Sequence, residues 1–249
     1  MHSLRVRAHA CWKGVRTLSH IATGLLTIIF VFPKLSESQR EERIQAWALE
    51  LLARLAIKLI AKGQPPSRGP VLLAANHISW LDIVVMHAAR HCRFVSKADV
   101  RHWPLIGTMA TAAGTLFIER ESRRDAMRVV HHMAERLSAG DILAIFPEGT
   151  TSNGVDLLPF HANLFQAAIA ANAPVIPVAL QFVSSNGERS LAPCYIDDDT
   201  LLGSLWRTLC TPGIAAVVTF GEPQLPQGRE RRAWAADVRN EIAVMRGPI

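Results

Sequence analysis

The residues best placed to do chemistry stand at the ends of three apolar runs. After Val71–Ala75 comes Asn76-His77-Ile78-Ser79-Trp80-Leu81-Asp82, after 115–118 comes Glu119-Arg120, and after 142–146 comes Pro147-Glu148-Gly149-Thr150-Thr151. In an open α/β sheet the ligand crevice lies at the carboxyl ends of the strands, so polar residues at three successive run ends mark a candidate site. His77 and Asp82 are five apart. On one continuous helix they would stand about 140° apart and out of reach. They meet if His77 lies in a strand-to-helix turn and Asp82 in the first helical turn, folded back. The carboxylate then takes the proton of one imidazole nitrogen and leaves the other basic. On these residues alone, the alternative that His77 only caps a helix stays open. No Gly-x-Ser-x-Gly elbow is present, and Ser79 lies too close along the turn to serve as the nucleophile. Such a base would act on a hydroxyl that the substrate brings.

Around the pair, Arg120 follows Phe117-Ile118, where a guanidinium can clamp a phosphate or carboxylate. Lys97, after Phe94-Val95-Ser96, offers a second positive charge. Pro147-Glu148-Gly149-Thr150 reads as a tight turn whose glycine lets backbone approach a ligand, flanked by the Glu148 carboxyl and the Thr150 hydroxyl. His87-x3-His91 with Cys92, and the pair His131-His132, have the types but not the number of metal ligands, and no His-Glu-x-x-His occurs. They are read as ordinary helix residues, and no metal or other cofactor is expected.

The elements that must position these residues follow from apolar periodicity. Strands are expected at Val71–Ala75, 94–96, 115–118, 142–146, 175–182 and Ala215–Phe220, with helices at 81–91, 124–137 and 229–246. This alternation predicts an α/β fold with a mixed, mostly parallel sheet covered by helices. The breaker cluster Gly63-Gln64-Pro65-Pro66-Ser67-Arg68-Gly69-Pro70 is the clearest boundary, dividing a 1–65 segment from a 66–249 domain.

The 1–65 segment reads as membrane-facing. Residues 1–36 hold Arg5, Arg7, Lys13, Arg16 and Lys34 and no acid, around an apolar run over 18–32. As a helix that run is roughly 22 Å long, short of the roughly 30 Å of bilayer hydrocarbon. It lacks a small-x-small cleavage site. Over 41–62, Ile44, Trp47, Leu51, Leu52, Leu55, Leu59 and Ile60 recur at helical steps, which predicts one amphipathic helix. Spanning with it would bury Glu50, Arg54 and Lys58 at roughly 2.5–3.5 kcal/mol each. Two helices lying in one leaflet are therefore the expected anchor.

The 249 residues are 49% hydrophobic and 19% charged, which excludes disordered and collagen-like classes. Four scattered cysteines give no disulfide framework and fit a reducing compartment. With one tyrosine and no RNA-binding aromatic motif, the net charge of +6 and mean hydropathy of +0.17 point to anionic lipid rather than nucleic acid.

Four ordered blocks then carry a resemblance: Asn76-His77-x4-Asp82, Gly114 to Arg120 with Phe117 and Ile118, Phe146-Pro147-Glu148-Gly149-Thr150, and Val175-Ile176-Pro177-Val178. Together they resemble the glycerolipid acyltransferases similar to bacterial 1-acylglycerol-3-phosphate acyltransferase, over about residues 70–182. The resemblance implies acyl transfer to a lysolipid hydroxyl, with acyl-CoA or acyl carrier protein as co-substrate. It implies that His77 is the general base and Asp82 its orienter. It also implies that Phe117, Arg120, Glu148, Gly149 and Thr150 bind substrate, Arg120 and Glu148-Gly149 at the acceptor's head, and Lys97 is expected to join them as the second positive charge. A lipid acceptor and a soluble thioester imply the cytoplasmic face of the inner membrane. Many members carry Arg after Glu-Gly-Thr and Lys-x-Gly after Pro-Phe, whereas this chain has Thr151 and His161-Ala162-Asn163. In that respect it resembles relatives that acylate lyso-ornithine lipid, the alternative acceptor. A non-catalytic lipid-binding protein would be marked by loss of His77 or Asp82, and both are present.

Overall fold

Alternation of apolar side chains along a few short strands builds the frame. The computed structural model describes residues 2–118, 123–196 and 198–247. Seven strands are described: β1 (Lys58–Lys62), β2 (Val71–Ala75), β3 (Arg93–Lys97), β4 (Leu116–Ile118), β5 (Ile142–Ile145), β6 (Val175–Val183) and β7 (Ala215–Phe220). Their order in one sheet is β1-β7-β6-β2-β5-β3-β4. The five strands from β6 to β4 run parallel, while β7 is antiparallel to β6 and β1 runs with β7. The carboxyl ends of β6, β2, β5, β3 and β4 therefore share one edge.

The helices are α1 (His2–Phe30), α2 (Glu37–Arg54), α3 (Leu81–Ala89), α4 (Ile106–Ala112), α5 (Arg123–Ser138), α6 (Phe165–Ala170), α7 (Leu201–Cys210) and α8 (Arg231–Met245). Strand β2 is buried throughout, and its side chains alternate between two cores. Val71, Leu73 and Ala75 join Leu51, Leu52, Leu55, Val85 and Met86 from α2 and α3 on one face. Leu72 and Ala74 join Met133, Leu137, Phe165, Trp234 and Val238 from α5, α6 and α8 on the other. The expected α/β sheet covered by helices is what forms, in three layers.

The helix expected over 41–62 ends early. It starts at a capping box in which the Ser36 hydroxyl accepts from Gln39 N and the Gln39 side chain accepts from Ser36 N at 2.9 Å. It stops at Arg54, because Ala56 takes a left-handed φ of 60°. Lys58 N then donates to Ile214 O at 3.0 Å, and Leu59 and Ile60 pair with Ala216 and Val217 as an edge strand. The breaker cluster at 63–70 consequently joins two strands of one sheet, and the 1–65 segment contributes to the same core as the rest.

The expected place of α2 in a leaflet is corrected for the same reason. Its apolar face is packed inside, with Leu51, Leu52 and Leu55 at most 3% exposed, while Arg54 pairs with Glu50 at 2.9 Å on the outside. Helix α1, by contrast, extends back to His2, well before the apolar run, and lies antiparallel to α2 through a few contacts. The Trp47 ring stacks on His20 at 5.2 Å and fills the space beside Gly24, where a Cβ would come within 2.5 Å of Trp47 Nε1. Ala10, Lys13 and Thr17 face inward. At 100° per residue, the exposed Leu4, Trp12, Val15, Leu18, Leu26, Ile29 and Phe30 all fall within an arc of about 120° on the opposite face. Arg5 and Arg16 border that arc on one side and Arg7 on the other. No helix among the described residues is long and apolar enough to cross a membrane.

Candidate active site

The site is built outward from the carboxyl end of β2. Asn76 pins that end to β6: its side-chain oxygen accepts from Leu180 N at 2.7 Å and its amide donates to Leu180 O at 3.1 Å. The chain then turns, and Asp82 sits in the first turn of α3 with no solvent exposure. One oxygen, Oδ2, accepts three hydrogen bonds, from Ile78 N at 2.6 Å, Ser79 N at 2.9 Å and His77 Nδ1 at 2.8 Å. This is the folded-back geometry that the five-residue spacing requires.

The same hydrogen bonds fix the tautomer. Oδ2 already accepts from two backbone N–H groups, and a carboxylate oxygen accepts from the imidazole as well. Nδ1 therefore is the donor, and in the neutral ring that leaves the lone pair on Nε2. The His77 side chain is 18% exposed, enough for Nε2 to meet a substrate hydroxyl. Its ring is stacked on Phe146 at 4.0 Å and 8°, and Phe146 is stacked on Phe94 at 5.5 Å. Ser79 is withdrawn from chemistry. It is fully buried, and its hydroxyl donates to Pro193 O and accepts from Leu81 N.

The neighbouring strand end, that of β5, closes over this loop. Gly149 N donates to Phe146 O at 3.0 Å, and Gly149 adopts a φ of 75°, which only glycine takes without strain. Ser152 N donates to His77 O at 2.9 Å. Glu148 was expected to face the acceptor's head, but it is 4% exposed and both its oxygens accept backbone N–H groups: His77 N at 2.8 Å and Leu158 N at 2.9 Å. Burial raises its pKa, opposed chiefly by those two hydrogen bonds. Thr150 is exposed, and the His161 ring lies against Gly149.

The structure thus brings His77, Asp82, Glu148, Gly149 and Thr150 to two adjacent strand ends. Lys97 and Phe117 lie on the same edge, displaced by two and three strands, or roughly 10 and 14 Å, from β2. Lys97 is exposed, and Phe117 is half-buried. Arg120 lies outside the described residues. From the sequence, Phe94 has no role in the site, and Asn76 and Phe146 enter only as parts of blocks.

A cavity of about 590 Å³ adjoins the His77 loop, lined by Asn153, Leu191, Cys194, Ile196, Asp198, Asp199 and Arg207. Tyr195, between the lining residues Cys194 and Ile196, donates its N–H to Ile78 O at 3.1 Å. Arg207 is committed there, paired with Asp199 and donating to the carbonyls of Ala192 and Cys194. Burial pushes the Cys194 thiol up to about 11, and burial also pushes the Cys92 thiol up, so neither is a thiolate at neutral pH.

His87 and His91 are stacked at 5.1 Å in the core and are held neutral, with pKa values lowered by burial to about 3 and about 4. His131 and His132 are exposed on α5 beside Glu135. Among the described residues, no three His, Cys, Asp or Glu side chains are grouped to hold a metal ion.

A family model described as acyltransferase matches residues 56–181. The chain is 40% identical over 182 residues to a 1-acyl-sn-glycerol-3-phosphate acyltransferase of Neisseria gonorrhoeae, which covers 73% of this chain and 71% of the relative. It is 36% identical over 236 residues to a lyso-ornithine lipid O-acyltransferase of Pseudomonas aeruginosa, covering 92% and 90%. Among solved structures, the 1-acyl-sn-glycerophosphate (LPA) acyltransferase of Thermotoga maritima shares the fold, with a TM-score of 0.72 over 100% of this chain and 99% of that one at 20% identity. A match across half the chain, with relatives well above 30% identity along more than two thirds of it, places this protein in the acyltransferase family.

Proposed function

We propose that this acyltransferase moves a fatty acyl group from acyl-CoA or acyl carrier protein to the free hydroxyl of 1-acyl-sn-glycerol-3-phosphate, giving phosphatidic acid. The observation that carries the mechanism is a histidine whose Nδ1 is held by a buried carboxylate, while the hydroxyls of Ser79 and Ser152 are engaged with the backbone carbonyls of Pro193 and His77. In this mechanism His77 Nε2 takes the acceptor's hydroxyl proton as the oxygen bonds to the thioester carbonyl carbon. The carbon–sulfur bond then breaks, and the thiolate leaves with the proton from His77. Asp82 holds the ring and stabilises the transient imidazolium. The edge carrying Lys97, Phe117, Gly149 and Thr150 is the side from which the acceptor's head would be bound, and the resemblance of the sequence blocks assigns Arg120 the same role.

The acceptor is tested by offering the purified protein lysophosphatidic acid and lyso-ornithine lipid separately, each with a labelled acyl thioester. Label in phosphatidic acid is the expected result. The second reading, lyso-ornithine lipid, is favoured by a departure in sequence: Thr151 and His161 stand where many members have Arg and Lys, and the His161 ring lies against Gly149. Label appearing only in the ornithine product would replace the first reading with the second.

A lipid acceptor also gives the exposed face of α1 a purpose. Its apolar arc, bordered by Arg5, Arg7 and Arg16, fits the surface of an anionic bilayer on the cytoplasmic side, with the arginine stems reaching the headgroups. Fully burying a Leu or Ile side chain is worth about 1.5–3 kcal/mol. Leu18→Asp with Ile29→Asp should therefore cut sedimentation with phosphatidylglycerol-containing vesicles by more than about tenfold while leaving thermal unfolding unchanged. Undiminished sedimentation would contradict this orientation.

A further inference from the structure

We propose that Phe146 and Glu148, the residues on either side of Pro147 at the end of β5, are positioning residues that hold His77 by its ring and by its backbone; this rests on the reading of His77 as the base. Glu148 is too deeply committed to serve the acceptor's head. Each of its oxygens already accepts one backbone N–H, and the side chain is 4% exposed. A buried carboxylate would also repel a phosphate rather than bind it. What it does is join three segments: the β5 turn that carries it, the residue that carries the base, and Leu158 in the following loop.

Phe146 acts on the other side of the same residue. Its ring lies parallel to the imidazole at 4.0 Å, and Phe94 backs it at 5.5 Å, so the stack resists rotation of the His77 side chain out of the Asp82 plane. An imidazolium formed during transfer would lie over an aromatic face, which attracts cations. Neither residue exchanges a proton or forms a bond in the reaction. Both act through His77, and small misplacement of a reacting group lowers turnover rather than binding.

The test uses the full-length protein with an acyl-CoA and lysophosphatidic acid, following kcat and acceptor KM for Glu148→Gln, Phe146→Leu and Phe146→Tyr, with thermal unfolding as the check on folding. Gln keeps one acceptor and loses the other, and Leu keeps bulk but not the ring. Glu148→Gln and Phe146→Leu are expected to lower kcat by about tenfold or more with acceptor KM within about twofold. Phe146→Tyr should restore more than half of kcat. An increase in acceptor KM with kcat intact in Glu148→Gln would make that residue a head-group ligand and overturn the proposal. Phe146→Leu at the native kcat would overturn it from the other side, even if the Glu148 variant failed to fold. Failure of the underlying reading shows separately, as unchanged turnover in His77→Ala.

Discussion

His77→Ala should lose between about 10² and 10⁴ of the rate of acyl transfer, the range over which a positioned general base accelerates proton removal. The loss should fall on kcat, because the imidazole acts on the acceptor's proton only as the new bond forms. Stability should change little. The side chain lies at the mouth of the site, and its backbone N–H, which donates to Glu148, survives the substitution. The measurement is initial rate with saturating acceptor and thioester, alongside thermal unfolding. A variant that kept more than half of the native kcat would remove His77 from the mechanism.

Asp82→Asn should be nearly as damaging, for a different reason. The carboxylate oxygen Oδ2 accepts from Ile78 N, Ser79 N and His77 Nδ1 at once. An amide oxygen in its place still satisfies donors but brings no charge to stabilise an imidazolium. If the amide nitrogen faces the ring instead, it donates and favours the tautomer with its proton on Nε2, which cannot act as a base. The loss of rate is expected to approach that of His77→Ala, and the double variant should be no slower than the worse single one, because the two residues act as a unit. Additive losses in the double variant would show that Asp82 works independently of His77. Asp82→Ala is the poorer probe, since it strands buried donors at about 1–3 kcal/mol each and unfolds the loop it is meant to test.

The pair was legible in the sequence because strand ends collect ligand-facing residues and because His77 and Asp82 are close along the chain. What held the pair was less so. Phe146 meets His77 only because β2 and β5 are neighbours in the sheet, and strand order is not written in local periodicity. Only the resemblance places Glu148 at the acceptor's head; the fold instead presents it with two backbone donors. Strand β1 was hidden in a helical pattern, since Leu59 and Ile60 continue the three- and four-residue steps of α2. Only pairing with the distant β7 makes them a strand. The short helices α4 and α6, of seven and six residues, give too few periods to read. An amphipathic pattern also does not say what its apolar face meets: α2 turns that face to α3 and the sheet, and α1 leaves one open.

The central claim is that acyl transfer runs directly from thioester to acceptor hydroxyl, with the base at His77 and no acyl group resting on the protein. Ser79 is buried with its hydroxyl engaged, and the thiols of Cys92 and Cys194 are held protonated. Intact-mass measurement after rapid mixing with a labelled acyl thioester tests this most directly, first without and then with acceptor. The account predicts an unmodified protein mass in both cases, with label moving to the lipid only when acceptor is present. An acyl-mass adduct that forms on the protein without acceptor, and is discharged when acceptor is added, would contradict it.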